Sequence, residues 1–418
     1  MLPDALRPLL PSTPVDAFIQ RALAGQADAW EPSLSATDVI TALHAHRIGP
    51  LVCAQLPPDA WQTLPTALQT WLKSCARKEA LLDVRQTLAL QELLPLAHGN
   101  GVPVLLLKGM PVSRRYYAEP HQRTKLDVDV LVRPADKAAF IALLEKLGYT
   151  RSESVTGTLI NRQATLTRSD VVFDVHWSVA NSAVFARVLD FDGMWRNRVP
   201  IPTLGDAAYG PSDDDLFLHA CFHLAVHLSY DFALAWLYDI HLMALRQSPE
   251  ALEQCLRRAK QLRILRVCLA CLALARAWFG TPYADEVYDA AARDARPELS
   301  ARLLTRRLSR LGRLWLELAA LNRREQLLLL REMAFPPAEY LRQRYADNTS
   351  WLLWLHVKRW LGWRNRLPAA EAWFEPKTVV DGKVQDGDTS ESSSLTHPRR
   401  SRSASASARA ETERRLSQ

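Results

Sequence analysis

Asp127 and Asp129 stand one residue apart in the otherwise apolar run Leu126-Asp127-Val128-Asp129-Val130-Leu131-Val132. Side chains alternate along a strand, so both carboxylates would project from one face. Two carboxylates on a mostly buried strand are costly unless positive charge sits between them. Mg²⁺ takes one or two carboxylates together with substrate phosphates, so the pattern points to metal-dependent phosphoryl or nucleotidyl transfer. The run Val171-Val172-Phe173-Asp174-Val175-His176-Trp177 places Asp174 and His176 on one face by the same alternation. Upstream, the apolar stretch Val102–Leu107 ends in Lys108-Gly109. Gly109 reads as the turn out of that strand.

These residues need strands to hold them, and the periodicity supplies strands only in the middle of the chain. Residues 1–100 read as helical, with apolar residues three and four apart over Val15–Ala24, Ser35–Arg47 and Thr63–Leu96, and with Gly49-Pro50 as a helix stop. Residues 101–180 read as a small α/β core. Its strands fall at Val102–Leu107, Leu126–Val132, near Tyr149–Val155, at Leu159–Thr167 and at 171–177, with Pro134 in the first turn of a helix over Ala135–Leu147. Residues 181–375 return to helix, including Val184–Trp195, Glu250–Phe279 and Glu298–Arg331. Residues 376–418, rich in Ser, Arg, Gly and Asp, have too little apolar surface to pack and are expected to be disordered.

The motifs of the middle region carry a resemblance. Leu106-Leu107-Lys108-Gly109, Tyr116-Tyr117, Arg123 four residues before Asp127-x-Asp129, and Asp174-Val175-His176-Trp177 together resemble a poorly characterised bacterial nucleotidyltransferase-like family of the polymerase-beta superfold. His46-Arg47-Ile48-Gly49-Pro50-Leu51 resembles its N-terminal signature more weakly, and the similarity spans about residues 44–243. The resemblance implies an α+β fold: a polymerase-beta-like core between large N- and C-terminal helical regions. It implies that Asp127, Asp129 and Asp174 are catalytic and hold Mg²⁺ or Mn²⁺. Lys108, Gly109 and Arg123, with His223, would then contact nucleotide phosphate. The reaction implied is transfer of NMP from an NTP to a hydroxyl of a small molecule, protein or RNA. The alternative is an inactive protein of the same fold that binds a ligand or partner in a biosynthetic or defence system. The broader superfold has Gly-Ser where this chain has Lys108-Gly109.

Several residues admit more than one reading. His219, His223 and His227 recur every four residues and share a helix face. They lack the Glu of a His-Glu-x-x-His zinc protease, so they read as core or interface groups, as a wall of the site that binds phosphate or acceptor, or as metal ligands on this face alone, with Asp239 able to orient one of them. Arg123 would anchor triphosphate or pair with a local carboxylate. The tryptophans at 351, 354, 360 and 363 interleave with Lys358, Arg359 and Arg364. They fit a helix packed on the protein's own core, or a contact with a membrane surface or protein partner.

The 418 residues have a formal net charge of +7, a mild preference for anionic ligands rather than a nucleic-acid signature. The six cysteines lie scattered in apolar helical patterns. The Cys268-x-x-Cys271 pair has no second pair at zinc spacing, so the thiols read as core residues. With no signal peptide and no membrane-length apolar run, the expected location is a reducing cytoplasm.

Overall fold

The computed structural model describes residues 3–152, 159–228, 231–305, 308–336, 338, 341, 351–362, 379–380 and 383–384. Met1–Pro376 form one compact unit and Lys377–Gln418 a second. The first unit begins with helices α1 (Pro14–Leu23), α2 (Ala36–Ala45), α3 (Gly49–Gln55), α4 (Pro58–Thr63) and α5 (Thr66–Gly99). Gly49-Pro50 opens α3 rather than ending a helix. Pro50 sits in the first turn, where a missing N–H leaves nothing unpaired. A Cβ at Gly49 would come within 2.8 Å of the Trp71 ring, so only glycine lets α3 approach α5.

The middle of the chain forms β1 (Leu105–Leu106), α6 (Gly109–Tyr116), β2 (Val128–Leu131), α7 (Lys137–Lys146), β3 (Thr150–Arg151), β4 (Gln163–Arg168) and β5 (Val171–His176). They build a mixed five-stranded sheet in the order β1-β2-β5-β4-β3, confirming the α+β class. Strands β2 and β5 run parallel; the other pairs are antiparallel. The strands are shorter than the apolar runs that announce them. Of the first run, strand β1 keeps only Leu105 and Leu106, and the Leu107 N–H donates to the Asp129 carbonyl just beyond it. Pro134 lies in a turn ahead of α7 rather than in its first turn. Residues 153–155 of the expected third strand lie outside the described residues.

Both faces of β2 and β5 are buried. Val128, Val130, Phe173 and Val175 pack on one side with Leu90 and Leu93 of α5 and Phe140 and Leu144 of α7. Leu105, Leu107 and Leu131 face the opposite way, into a core shared by the N-terminal helices and those that follow the sheet. Asp129, Asp174 and His176 lie on that second side by strand alternation.

The chain continues through α8 (Phe191–Arg196), a short hairpin of β6 (Val199–Pro200) and β7 (Tyr209–Gly210), and helices α9 (Asp213–His227), α10 (Leu234–Leu245), α11 (Pro249–Gln261), α12 (Leu265–Phe279), α13 (Asp285–Asp294), α14 (Arg310–Ala319), α15 (Arg323–Ala334) and α16 (Leu352–Gly362). The helix expected over 250–279 breaks at Arg263, whose φ of 58° lies in the left-handed region. The one expected over 298–331 divides, with α15 restarted by an Asn322–Glu325 capping box. The helix expected over 184–195 is confined to α8. Cys268 and Cys271 are buried free thiols in α12. The expected disordered tail lies outside the described residues, except for a two-residue antiparallel pairing of Val379–Val380 with Lys383–Val384. Of the tryptophan-bearing segment, Trp363 and Arg364 also lie outside them; Trp351 and Trp354 are exposed. Among the described residues no helix is long and apolar enough to cross a membrane.

Candidate metal and nucleotide site

The parallel register of β2 and β5 sets Asp129 directly beside Asp174. His176 follows two residues later on the same face. Among the described residues, Asp129, Asp174 and His176 form the one group able to hold a metal ion, with a ligand atom from each within 4.8 Å of the others. All three are buried. Two hard carboxylate oxygens and one imidazole nitrogen fit Mn²⁺, and the oxygens fit Mg²⁺. Asp127 is half-buried and lies just before β2 begins, outside that group.

One oxygen is shared. Lys108 Nζ donates to Asp129 Oδ1 at 2.6 Å, and His176 Nε2 lies 2.8 Å from the same oxygen. Lys108 Nζ and His176 Nε2 are 3.5 Å apart. Asp174 accepts from Thr165 Oγ1 at 2.5 Å and Gln163 Nε2 at 3.2 Å, both on β4. Burial works to raise the Asp129 carboxyl, but the Lys108 ammonium and the His176 contact outweigh it and hold it below the usual carboxylate range. Burial and then the Asp129 charge push Asp174 up. Burial, Asp129 and Asp174 push Asp127 well above its ordinary value. Burial would lower Lys108; its acidic neighbours, Asp129 first, keep it above the ordinary lysine value. One lysine therefore shares its surroundings with three carboxylates, a cluster whose charge a divalent cation could offset.

Lys108 precedes α6 with φ 50° and ψ −120°, a backbone conformation L-residues rarely adopt. Gly109 follows because a Cβ there would come 2.9 Å from Lys125 Cγ. Lys125 is itself buried, with Nζ 3.0 Å from Asp83 of α5. Arg114 donates to both oxygens of the same Asp83. This network fixes the turn that presents Lys108.

Arg123 points elsewhere. Its Nε is 2.9 and 3.0 Å from the two oxygens of Asp239 on α10, and its Nη2 is 2.8 Å from Oδ2. Tyr117 Oη donates to Asp239 at 2.7 Å. The carboxylate that Arg123 meets is thus distant in sequence rather than local, and Asp239 serves Arg123 instead of a histidine. His223 is half-buried between its neighbours on α9, with ring centroids 6.0 Å from His219 and 4.5 Å from His227. Trp236 of α10 packs edge-on against His223 and at a tilt against His227, with ring centroids 5.0 and 4.5 Å apart. Burial, and after it neighbouring positive charge, holds His219 down at about 3 and His223 well below the ordinary value. The Lys108 charge acts on all three histidines, so α9 borders the carboxylate site.

Five residues to which the sequence assigned no role contribute: Arg47, Gln163, Thr165, Glu317 and Glu332. Arg47 pairs with Asp231 at 2.7 Å, lies 5.0 Å over the Trp236 ring, and lowers the Asp127 carboxyl through its charge. Thr165 and Gln163 orient Asp174. Glu317 of α14 accepts from Ser182 Oγ and the Ala183 N–H, and Glu332 of α15 accepts from the N–H groups of Leu159 and Ile160. From there Arg162, Asn181 and Gln163 lead to Asp174 by hydrogen bonds. Of these only Arg47 lay in a motif, the run His46–Leu51 that resembles the family's N-terminal signature.

A mixed sheet that sets two aspartates and a histidine side by side, with a lysine at the mouth of a helix, suits group transfer from a phosphorylated donor. The chain belongs to the uncharacterised nucleotidyltransferase family, whose sequence profile matches residues 32–280. Helices α13 to α16 lie beyond that match. Among solved structures, the chain is similar to the solution structure of the antibiotic-resistance factor ANT(2'')-Ia, with 14% identity and a TM-score of 0.30 over 43% of this chain and 88% of that one. No curated protein matches it.

Proposed function

We propose that this protein transfers a nucleoside monophosphate from an NTP to a hydroxyl-bearing acceptor in a metal-dependent reaction on a polymerase-beta-like core. The observation that carries this reading is the convergence of Asp129, Asp174 and His176 beside Lys108 in a member of a nucleotidyltransferase family. Asp129 and Asp174 would hold Mg²⁺ or Mn²⁺, with His176 completing the donor set and Asp127 at its edge. When bound, the ion would lower the barrier by activating the acceptor hydroxyl and stabilising charge on the leaving pyrophosphate. Thr165 and Gln163 hold the Asp174 carboxylate in a fixed rotamer, which pre-organises the site. Lys108 and the N-terminal turn of α6 at Gly109 present positive charge and N–H groups to the triphosphate. His223 and Trp236 form a neutral, aromatic wall suited to the nucleoside or acceptor. Arg123 acts at a distance, fixing α10 and hence Trp236.

The test is label transfer from each α-labelled NTP with Mg²⁺ or Mn²⁺ in a lysate of candidate acceptors. Transfer is expected with the wild type and reduced by about 10²-fold or more with Asp129→Asn and Asp174→Asn. Undiminished transfer by both variants sinks the proposal, and nucleotide binding without transfer by the wild type favours an inactive binding protein instead.

A further inference from the structure

Lys108 occupies ground that a divalent ion would need. Its ammonium lies 2.6 Å from Asp129 Oδ1 and 3.5 Å from His176 Nε2, two of the three candidate ligand atoms. Ligand oxygens sit about 2.0–2.1 Å from Mg²⁺, so an ion on Asp129 would stand within a few ångströms of the ammonium, and two cations at that distance repel strongly. The lysine backbone cannot retreat. It is held at φ 50° immediately before α6, and Gly109 is packed tightly against the buried Lys125 side chain. The side chain can move, because it has a flexible four-carbon stem and is 20% exposed where Asp129 is 5% exposed. Its other described neighbours on α9 are neutral imidazoles, which offer an ammonium no counter-charge.

We infer that Lys108 is a tethered cation that guards the carboxylate site: it neutralises Asp129 until metal and nucleotide arrive together, then releases Asp129 to the metal and passes to the triphosphate. The inference rests on the metal-dependent reading above and adds its regulation. Metal alone binds weakly because it must evict Lys108 with no anion to receive it. The nucleotide supplies that anion, so metal and nucleotide tighten each other's binding by the same factor. The device would keep the site from filling with free cation when no substrate is present.

The experiment is Mn²⁺ binding, read by the electron paramagnetic resonance signal of free Mn²⁺, with and without each of the four α,β-methylene nucleoside triphosphates. Lys108→Met and Lys108→Gln are compared with the wild type after thermal melts establish that they fold. Mn²⁺ alone should bind both variants roughly 10- to 1000-fold more tightly, the range set by removing a unit charge at this distance in a partly buried site. An analogue that tightens Mn²⁺ binding to the wild type should do so far less in either variant. Variants that bind Mn²⁺ no more tightly than the wild type overturn the inference and leave the metal site standing. Absence of Mn²⁺ binding in every protein, or binding undiminished by Asp129→Asn, overturns the inference and the metal-dependent reading together. If neither variant folds, the wild type still decides: Mn²⁺ affinity unchanged by all four analogues overturns the guard.

Discussion

Arg123 and Lys108 are both cations set against aspartates in the interior, yet their surroundings are opposite. Arg123 meets one carboxylate, Asp239, with three N–H···O contacts, and Tyr117 donates to the same group. Both side chains are almost fully buried and the charge is balanced. Lys108 meets a field of three carboxylates, two of them pushed upward by burial and mutual repulsion. The first constellation is closed, since nothing further can bind without breaking it. The second is open, with more negative charge than its lysine can answer. A buried ion pair is weak evidence of function by itself; the imbalance distinguishes a site from a brace.

The largest effect expected from this contrast lies at the closed pair. Asp239→Ala leaves the Arg123 guanidinium buried and uncompensated, which should cost about 3–5 kcal/mol of stability. Urea denaturation would read it as a lower midpoint with an unchanged slope. The double variant Arg123→Met, Asp239→Leu removes both charges and should recover most of the loss. If the double variant is as unstable as the single one, the pair does more than balance charge, and the distinction between brace and site fails.

At the open site the same kind of change should act in the reverse sense. Asp174→Asn keeps the shape and its contact partners on β4 but removes one of the crowded charges. In metal-free protein it should leave the thermal midpoint unchanged or raise it. Nucleotidyl transfer, once an acceptor is found, should fall by about 10²–10³-fold, the usual loss when a group that stabilises transition-state charge is removed. Melting curves and label transfer on one preparation decide it. A lower midpoint with transfer intact would mark Asp174 as a structural residue.

How much of this was legible in the sequence depended on distance along the chain. Alternation alone put Asp174 and His176 on one face, because the period of a strand is local. The pairing of Asp129 with Asp174 required knowing that β2 and β5 run parallel and in which register, and nothing in either segment encodes its partner. The same limit hid the partner of Arg123, since Asp239 lies 116 residues away, on α10. Helix breaks at Arg263 and the opening of α3 at Gly49 depended on single backbone conformations and on contact with Trp71, which periodicity does not register. Glu317 and Glu332 reach the loops around the site from helices outside the family match, so no motif announced them. Asp127 is the instructive case: its spacing from Asp129 was the strongest local signal, yet the strand starts one residue later and leaves it at the edge of the donor group.

A third class of buried group, held neutral instead of paired or crowded, gives the smallest and most specific test. His241 on α10 has Nδ1 2.9 Å from Thr281 Oγ1 and packs at a tilt against Tyr238 and Phe279, with centroid distances of 5.3 Å each. Burial lowers it to about 4 from 6.5. The unfolded chain therefore binds a proton at His241 between about pH 6.5 and 4 while the folded chain does not, so stability falls as the pH drops through that window. Buried carboxyls act in the opposite direction: Glu317, raised by burial, favours the folded state on acidification. The wild-type curve alone mixes the two, and the difference from His241→Gln isolates the histidine. Gln can still hydrogen-bond Thr281 but does not titrate, so the thermal midpoint of the variant should decline less steeply than that of the wild type over this pH range. Parallel curves would mean that His241 titrates alike in both states, and that burial on α10 does not hold this imidazole neutral.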